Sequence, residues 1–199
     1  MRPRTPISEE ALASIFLDAR THYDWTPQQV PRSVLEQLYD VAKLGPTSAN
    51  CSPMRVAFLL SVSAKDRLLP ALSKGNIVKA AAAPVVAVIA WDRNYLDRVP
   101  ELFPVGYDAR SWFTKTPQDV GDHGLRNTML QAAYLIIAAR ALGLDCGPMS
   151  GFDARAVNAE FFAESTWDAK LLINLGYGAK SEFGERGPRL RVEEAIRFL

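Results

Sequence analysis

The chain has 199 residues, 48% of them hydrophobic, which is enough to bury the core of one domain spanning 1–199. Its 23 lysines and arginines nearly balance 22 aspartates and glutamates, and the net charge of +1 argues against a nucleic-acid-binding or membrane-surface protein. The two cysteines lie far apart, which excludes a disulfide framework and favours a reducing cytoplasm. Neither they nor the two histidines show metal-ligand spacing, so we expect no metal site.

The chain begins with two predicted helices. Apolar residues recur at helical spacing over 8–20, behind a serine N-cap, and over 31–45, where a proline opens the helix and Gly45 ends it. The stretch GPTSANCSP, residues 45–53, follows at once. Its two prolines bracket small polar residues and Cys51, over more positions than a simple turn requires. We therefore predict a loop shaped to contact a ligand.

Two strands and one short helix are predicted next. The run RVAFLLSV at 55–62 is rich in β-forming residues and predicts a strand. A short helix is predicted over 64–74, with a break at Pro70. The run PVVAVIAW at 84–91 is apolar on both faces, so it predicts a central strand.

The middle of the chain predicts a long loop followed by a buried helix. Residues 92–120 contain three prolines and five aromatic residues, and a loop of this length in a compact domain is usually functional or a lid. The segment 125–143 has helical periodicity and is apolar almost all round. It should therefore be buried on most sides, either at the domain centre or at a subunit interface.

The last part of the chain predicts a helix over 153–162, a strand over 170–178 and a short helix ending the tail. Helices and strands do not alternate as regular βαβ units. We therefore predict an α+β fold with one sheet packed between helices.

Two glycine-containing motifs have familiar counterparts but fit them poorly. GYGAKS at 176–181 resembles the start of a dinucleotide-binding loop, yet too little chain follows for a mononucleotide-binding unit, so a strand-ending turn is favoured. GPMSG at 147–151 resembles a serine nucleophile elbow, but its serine falls one place late. We interpret it as a loop that exposes backbone N–H groups.

Two basic segments offer groups that suit a phosphate. Arg20, Thr21 and His22 end the first helix, and GPRLR at 187–191 lies in the tail. Taken singly, the first segment is explained as a helix end and the second as a solvent-exposed tail. Together they supply two arginines and a hydroxyl, which is what a phosphate monoester requires.

In order and spacing, four segments resemble the nitroreductase-like, FMN-dependent flavoprotein family. Arg20 and Thr21, followed by Trp25, resemble its N-terminal FMN phosphate element, and GPTSANCSP resembles the stretch that lines the isoalloxazine ring. LGLDCGPMSGF resembles the loop whose backbone donates to flavin N5, and Arg189 resembles the C-terminal phosphate-binding arginine. The resemblance implies an FMN site formed by Arg20, Thr21, His22, Pro46, Thr47, Ser48, Asn50, Pro148, Met149, Ser150, Gly151 and Arg189.

The family also implies an architecture and a chemistry. Its fold is α+β with a central, mainly antiparallel sheet, and its members form intertwined homodimers. A helix like 125–143 lies in the dimer interface, and FMN is bound between the subunits. NADH or NADPH supplies the hydride and the flavin carries it, so no catalytic side chain is implied and Cys51 needs no chemical role. The chain departs from the family's phosphate-binding pattern at Tyr23 and Gly187, where the family has basic residues.

The runs GPTSANCSP, ALSKGN, DARSWF and GPMSGF look closest to one subfamily, the malonic semialdehyde reductases of pyrimidine (uracil) degradation. Their substrate would be an aldehyde acid whose carboxylate needs a cation. Arg110 is the predicted anchor, and Trp112 and Phe113 would exclude water as substrate-binding lid residues. Alternatively, Arg110 is a solvent-exposed partner of Asp108, with Arg126 the next residue to consider.

Three functions stay open on the sequence. The first is reduction of malonic semialdehyde to 3-hydroxypropanoate, the second is broad reduction of nitroaromatics or quinones, and the third is flavin binding without catalysis. Aldehyde reduction also needs a proton donor, for which Tyr107 and His123 are possibilities, each with an alternative structural role.

Overall fold

A four-stranded antiparallel sheet forms the centre of the computed structural model, which describes residues 5–179 and 183–199. The strands are β1 (Met54–Leu59), β2 (Val85–Asp92), β3 (Asp145–Met149) and β4 (Trp167–Gly176). They lie in the order β1-β2-β4-β3, so β1 and β3 occupy opposite edges. The register pairs Val88 of β2 with Ala57 of β1 and with Leu172 of β4.

Eight helices surround the sheet in the described part of the chain. They are α1 (Glu9–Leu12, continued by a wider turn over Ala13–Leu17), α2 (Arg32–Ala42), α3 (Val62–Leu68), α4 (Lys74–Ala82), α5 (Val99–Leu102), α6 (Pro117–Ala141), α7 (Ala154–Phe161) and α8 (Val192–Ala195). Shorter helical turns lie at Ser48–Asn50, Leu69–Ala71, Tyr95–Arg98 and Ala109–Trp112. None of the helices described here is both long and apolar enough to span a membrane.

The core consists of two apolar layers, one on each face of the sheet. Alternate residues of β2 point to opposite faces: Ile89 packs with Leu35 of α2 and Leu135 of α6. Val88, its neighbour, packs on the other face with residues of α3, α4 and α7, among them Leu68. Because both faces of β2 are covered, its run of apolar residues needs no polar alternation.

The predicted α+β fold with a mainly antiparallel sheet flanked by helices is confirmed. The structure adds three elements that were predicted as loop or not predicted: β3, α4 and the short α5, which lies in the predicted loop 92–120. The strand β3 contains Gly147 and Pro148, which disfavour strands, but an edge position tolerates proline because one side of the strand needs no ladder bonds. The helix α4 includes Gly75 and Asn76, two weak helix formers that mask its pattern.

Two helices have bounds different from those predicted. The helix predicted over 8–20 is a short α1 that continues as a wider turn and ends at Leu17. Conversely, α6 begins at Pro117, eight residues before the predicted start, with the Thr116 hydroxyl accepting from the Asp119 N–H. Gly124 made this extension hard to recognise from the sequence pattern. A Cβ at position 124 would lie 2.2 Å from the Trp91 ring, so the close approach of α6 to the sheet requires glycine.

The GYGAKS motif lies partly outside the described residues, at 180 and 181. In its described part, Gly176 ends β4 and Gly178 forms a bridge with Trp25. The described residues contain no group of three histidines, cysteines or carboxylates arranged to hold a metal ion.

Candidate functional site

The segment 20–25 runs along the outer edge of β3 and connects the N-terminal arm to the sheet. Thr21 bridges to Cys146, and the His22 N–H donates to the Cys146 carbonyl at 3.0 Å. A Cβ at position 147 would lie 2.5 Å from the His22 carbonyl oxygen. Glycine at 147 is therefore what permits the arm to lie against β3.

A cavity of about 510 Å³ opens beside this arm, and we call it the arginine cavity. Its walls come from the arm, from the end of α6 and from the C-terminal tail. It is lined by Phe16, Ala19, Arg20, Thr21, Tyr23, Arg140, Phe183, Arg186, Gly187 and Arg189. Among the described residues, its lining therefore includes four guanidinium groups and no carboxylate.

The four arginines of the cavity are oriented by neutral acceptors. Arg20 donates to the Gly184 carbonyl at 3.0 Å, and Arg186 donates to the carbonyls of Leu17 and Ala19 at 2.6 and 3.0 Å. Arg189 donates to backbone carbonyls of its own tail, and Arg140 donates to the Ile15 carbonyl at 2.9 Å. Within the described residues, none of the four lies within salt-bridge distance of a carboxylate. Their positive charge is thus left for an anion to neutralise.

Beneath this cavity, His22 links three elements. Its Nε2 lies 3.2 Å from Asp145 Oδ1, while Asp145 Oδ2 accepts the Gly178 N–H at 2.8 Å. The edge of its ring also contacts Phe183. His22 Nδ1 is buried without a hydrogen-bond partner. The histidine thus joins the arm to the start of β3 and to the exit of β4.

The loop that follows β3 is held by α4. The Asn76 side chain and the Ser73 N–H both donate to the Gly151 carbonyl, each at 3.0 Å. A Cβ at position 151 would lie 2.8 Å from the Asn76 amide nitrogen, so glycine permits this approach. On the next turn of α4, Lys79 Nζ lies 4.1 Å from the centroid of the Tyr23 ring. This places α4 between the loop 148–151 and the arginine cavity.

The loop 46–53 packs against α6 through a row of polar side chains. Asn127 accepts the Ser48 N–H and Gln131 accepts the Met54 N–H, each at 2.9 Å. One turn further along, the Tyr134 hydroxyl donates to the Pro46 carbonyl at 3.0 Å. The three side chains follow the i, i+4, i+7 spacing of one helix face. The backbone of the loop is therefore fixed from one side by α6.

The same loop holds three residues in the left-handed region. Ala49 and Asn50 both have φ of 47°, and Ser52 has φ of 40°. Such a conformation costs roughly 1–2 kcal/mol for a residue with a Cβ. Asn50 compensates in part by donating its side-chain amide to the Leu102 carbonyl at 2.8 Å. Backbone strain of this kind persists where the surrounding contacts determine a shape, and it concentrates at functional sites.

Cys51, in the same loop, is fully buried against Tyr95, Val99 and Ala109. Burial raises the pKa of its thiol to about 11, so the thiolate is scarce at neutral pH. This agrees with the prediction that Cys51 needs no chemical role.

The aromatic segment 95–113 covers this part of the molecule. The Trp112 ring lies edge-on to Phe103 and Phe113, and Phe113 stacks on His123 with ring centroids 3.9 Å apart. Arg110 lies on the far side, where Nε and Nη2 make a two-pronged contact with Asp108, each at 2.8 Å. It lines one cavity with Asp108, whereas Trp112 and Phe113 line another with His123. The structure therefore does not bring Arg110 together with the two aromatic residues.

The family model described as "Nitroreductase family" matches residues 17–177, most of the chain. The chain belongs to the nitroreductase family. The matched range contains every predicted site residue except Arg189. It also contains β3, α4 and α5, three elements that sequence patterns did not predict.

Solved structures share the nitroreductase fold. A nitroreductase family protein from Streptococcus pneumoniae has a TM-score of 0.80 and 22% identity, with 95% of this chain and 98% of that one covered. A protein from Exiguobacterium sibiricum, named as a candidate nitroreductase in complex with FMN, has a TM-score of 0.84 and 18% identity over 98% and 100%. A candidate NAD(P)H:FMN oxidoreductase from Staphylococcus epidermidis has a TM-score of 0.81 and 19% identity, and both chains are fully covered.

Within this nitroreductase, the predicted site residues fall into two groups. Arg20, Thr21 and Arg189 line the arginine cavity, with His22 beneath it, while Pro148 and Met149 end β3 and Ser150 and Gly151 follow it. Pro46, Thr47, Ser48 and Asn50 precede β1, at the opposite edge of the sheet. Neighbouring strands are about 4.8 Å apart, so β1 and β3 are separated by roughly 14 Å.

Sequence reasoning missed four polar residues near the first group. They are Asn76, Lys79, Arg140 and Arg186. Arg140 gave a signal, because it is a charge within the apolar second half of the segment 125–143. Arg186 stands three places before Arg189, and the same basic tail contains both. Asn76 and Lys79 belong to α4, which no pattern predicted.

Proposed function

We propose that this nitroreductase is an FMN-dependent NAD(P)H oxidoreductase. The observation that carries the proposal is the arginine cavity, because four guanidiniums and a threonine hydroxyl form a donor set suited to a phosphate dianion. The fold it shares with the FMN complex from Exiguobacterium sibiricum and with the oxidoreductase from Staphylococcus epidermidis supports the same cofactor.

The residues around the cavity fit FMN on two further grounds. Within the described residues, Arg140 Nε and His22 Nδ1 are buried polar atoms without hydrogen-bond partners, one at the cavity and one beneath it. Moreover, a Cβ at Gly147 would clash with the His22 carbonyl and a Cβ at Gly151 with the Asn76 and Ser73 side chains, so glycine permits close packing at both ends of the stretch 147–151. Arg20, Thr21 and Arg189 would hold the phosphate with help from Arg140 and Arg186. Pro148, Met149, Ser150 and Gly151 would lie along the ring, with the Ser150 N–H as the donor to N5.

We propose that the second predicted group contacts the FMN that is bound by a partner chain. Pro46, Thr47, Ser48 and Asn50 lie at the sheet edge opposite β3, so a second copy of the chain would bring them to the ring. A homodimer has suitable surfaces, because large apolar side chains are exposed on α2, on α6 and along the tail. They include Tyr39, Val41, Leu44, Leu125, Leu130, Leu190, Val192, Ile196 and Phe198. Exposed apolar surface of this extent is typical of an interface.

A groove supports the same assembly. It has a volume of about 720 Å³ and lies between α2 and β1, and its lining combines Leu35, Tyr39, Phe58 and Leu60 with the charged residues Arg32, Glu36 and Asp40. The strand β1 pairs only with β2, so its outer edge is unpaired within the described chain. Unpaired edges and apolar grooves are usually covered in assembled proteins.

When bound, FMN would supply the redox chemistry by accepting a hydride from NADH or NADPH and passing it to the substrate. The chain's own contribution is binding and orientation. The arginine cavity fixes the phosphate end, and the loop 46–53 presents a backbone already held in shape by α6. Aromatic residues 103–113 restrict water at the site where the substrate would enter.

We propose malonic semialdehyde as the substrate and 3-hydroxypropanoate as the product, on the resemblance of GPTSANCSP, ALSKGN, DARSWF and GPMSGF to that subfamily. A second candidate is a broad nitroaromatic or quinone reductase. The observation that favours it is the half-exposed cluster formed by Tyr107 and Trp112 with Phe103, which offers flat apolar surface to an aromatic acceptor.

The experiment compares three acceptors with one protein preparation. Purified protein is titrated with FMN, and the loaded enzyme is then mixed with NADH or NADPH and malonic semialdehyde, a nitroaromatic or a quinone. We expect stoichiometric FMN binding and a kcat/KM for malonic semialdehyde at least tenfold above the others. Protein that binds no FMN would refute the flavin proposal. Loaded enzyme that reduces the nitroaromatic and the quinone but not the aldehyde would establish the second candidate instead.

A further inference from the structure

A small cavity of about 250 Å³ lies beneath the aromatic segment, at the beginning of α6. Its lining consists of Trp112, Phe113, Lys115, Asp119, Asp122, His123 and Arg126. This volume is below the range of drug-sized ligand sites, so the cavity suits a molecule of only a few heavy atoms. We call it the α6 cavity.

One side chain of the α6 cavity is buried with an unsatisfied polar atom. His123 is only 8% exposed, and its Nε2 is buried without a hydrogen-bond partner. Its other ring nitrogen, Nδ1, lies 2.7 Å from the Tyr95 hydroxyl, which also donates to the Val120 carbonyl at 3.2 Å. Tyr95 is fully buried, so the orientation of the imidazole is fixed from within. A buried ring nitrogen with no partner is costly unless a ligand or water satisfies it.

Two cations of the same cavity also lack internal partners. In the described residues, neither Lys115 nor Arg126 takes part in an ion pair or a side-chain hydrogen bond. Two carboxylates also line the cavity, and each accepts a hydrogen bond from a neutral group: Asp119 from the Thr116 hydroxyl at 2.8 Å, and Asp122 from the Gln118 side-chain amide at 2.7 Å. The donors that remain available therefore belong to cations and to an imidazole, which is a set suited to an anion.

We propose that the α6 cavity binds the carboxylate of a small oxo or hydroxy acid, with Arg126 as the main anchor and Lys115 and His123 as further donors. The inference rests on the proposed function, because it assigns the acidic end of that substrate. His123 lies one helical turn before Asn127, whose side chain joins the His123 carbonyl to the Ser48 N–H. The cavity is therefore tied to the loop 46–53, which is the part of the molecule proposed to face the ring.

The hydrogen-bond chain behind His123 becomes complete when an anion binds. A protonated imidazole can donate from Nε2 to the carboxylate and from Nδ1 to the Tyr95 oxygen, while the Tyr95 hydroxyl donates to the Val120 carbonyl. Without the anion, burial first and then the charge of Arg126 lower the pKa of His123 and keep the ring neutral. The groups that face it are Tyr95, Arg126, Lys115, Asp119 and Asp122. Carboxylate binding should thus be accompanied by proton uptake.

Arg110, the anchor predicted from sequence, differs from Arg126 in being occupied already. Its guanidinium makes the two-pronged contact with Asp108, and the pair lines a cavity on the far side of the aromatic segment. Binding a carboxylate at Arg110 would require it to give up an equivalent carboxylate. No such exchange is needed at Arg126.

The test measures binding of 3-hydroxypropanoate, as a stable probe, to the FMN-loaded enzyme by isothermal titration calorimetry. Arg126→Ala should weaken its Kd roughly 10- to 150-fold, the equivalent of one lost charge-assisted bond. Asp122→Asn should tighten binding, because it removes an opposing charge from the cavity. Arg155→Ala serves as the matched control on the exposed face of α7 and should leave Kd unchanged. Titrations in buffers of different ionisation heat should reveal proton uptake, with affinity falling as pH rises.

The outcomes separate this inference from the proposed function. An enzyme that binds FMN and oxidises NAD(P)H with a quinone, but whose affinity for 3-hydroxypropanoate is unaffected by Arg126→Ala, would overturn the anchor and leave the function standing. Loss of affinity in Arg110→Ala alone would also overturn it and move the carboxylate to the other cavity. Absence of FMN binding in the wild-type chain would refute the function itself, independently of the carboxylate titration.

Discussion

The arginine cavity and the loop 46–53 are both parts of the proposed cofactor site, yet they are built in opposite ways. The cavity gathers four arginines whose partners among the described residues are backbone carbonyls and, for Arg20, the Phe183 ring, so within this part of the chain no carboxylate balances their charge. The loop has its backbone groups bonded to α6 and holds its strained shape without any ligand. One region therefore depends on the cofactor for its electrostatic balance, while the other is preorganised and depends on the fold.

The largest expected effect is in the arginine cavity. Arg20→Ala and Arg189→Ala should each weaken FMN binding roughly 10- to 150-fold, because a charge-assisted hydrogen bond contributes about 1.5–3 kcal/mol. The measurement is a fluorescence titration with FMN, and Arg155→Ala on α7 is the control. The free energy of unfolding without FMN should not fall, since removing one of several like charges relieves repulsion. Unchanged FMN affinity in both variants would contradict the cavity as the phosphate site.

Asn127→Ala should mainly lower the free energy of unfolding, whereas the arginine variants mainly weaken FMN binding. It leaves the Ser48 N–H without its partner and removes the second hydrogen bond to the His123 carbonyl, which the helix already bonds, at a cost of about 1–3 kcal/mol in the free energy of unfolding. Urea denaturation of the FMN-free protein measures this. Gln118→Ala, on the exposed start of the same helix, is the control and should cost less than about 0.5 kcal/mol. Equal stability of the two variants would mean that α6 does not hold the loop.

Ala49→Gly tests the strain directly. Glycine relieves a left-handed φ that costs roughly 1–2 kcal/mol for alanine, against an added unfolded-state entropy of about 0.5–1 kcal/mol. The variant should therefore be more stable by about 0.5–1 kcal/mol in urea denaturation. The matched control is Ala159→Gly on the exposed face of α7, which should destabilise by about 1 kcal/mol. Destabilisation at both positions would show that residue 49 is not strained.

Cys51→Ala should have the smallest effect on turnover. The thiol is buried and protonated at neutral pH, and its role is that of a small apolar filler. We expect kcat within about twofold of the wild type in the NAD(P)H oxidation assay. A large loss of turnover with FMN still bound would assign the thiol a chemical role.

The two regions also differ in how much of them the sequence predicts. Basic residues in the arm and in the tail predicted a phosphate site from their chemistry alone, and the family resemblance then selected Arg20 and Arg189, which stay predictions. Arg140 was missed, because an arginine near a helix end has an ordinary explanation in the helix dipole. The strain in the loop 46–53 could not be predicted, since no glycine marks the positive φ values of Ala49, Asn50 and Ser52.

The same limit explains the elements that were missed. Gly147 and Gly151 weaken the local patterns of β3 and its loop, yet each is there because another segment packs closely against it. Such a contact joins residues distant in sequence, and local periodicity contains no information about it. The fold class was predictable because β1, β2 and β4 have strong apolar patterns and α2 and α6 have helical ones.

The spacing of Asn127, Gln131 and Tyr134 on α6 constrains how the chain can change in length. One residue added to a helix rotates everything beyond it by about 100° relative to everything before it. An insertion between 127 and 134 would turn part of this row away from the loop, and the bonds to Ser48, Met54 and Pro46 would no longer form as a set. The exposed turn at 104–108 has no comparable row of hydrogen-bonding side chains. Insertions and deletions among natural relatives should accordingly collect in that turn and be absent from the middle of α6.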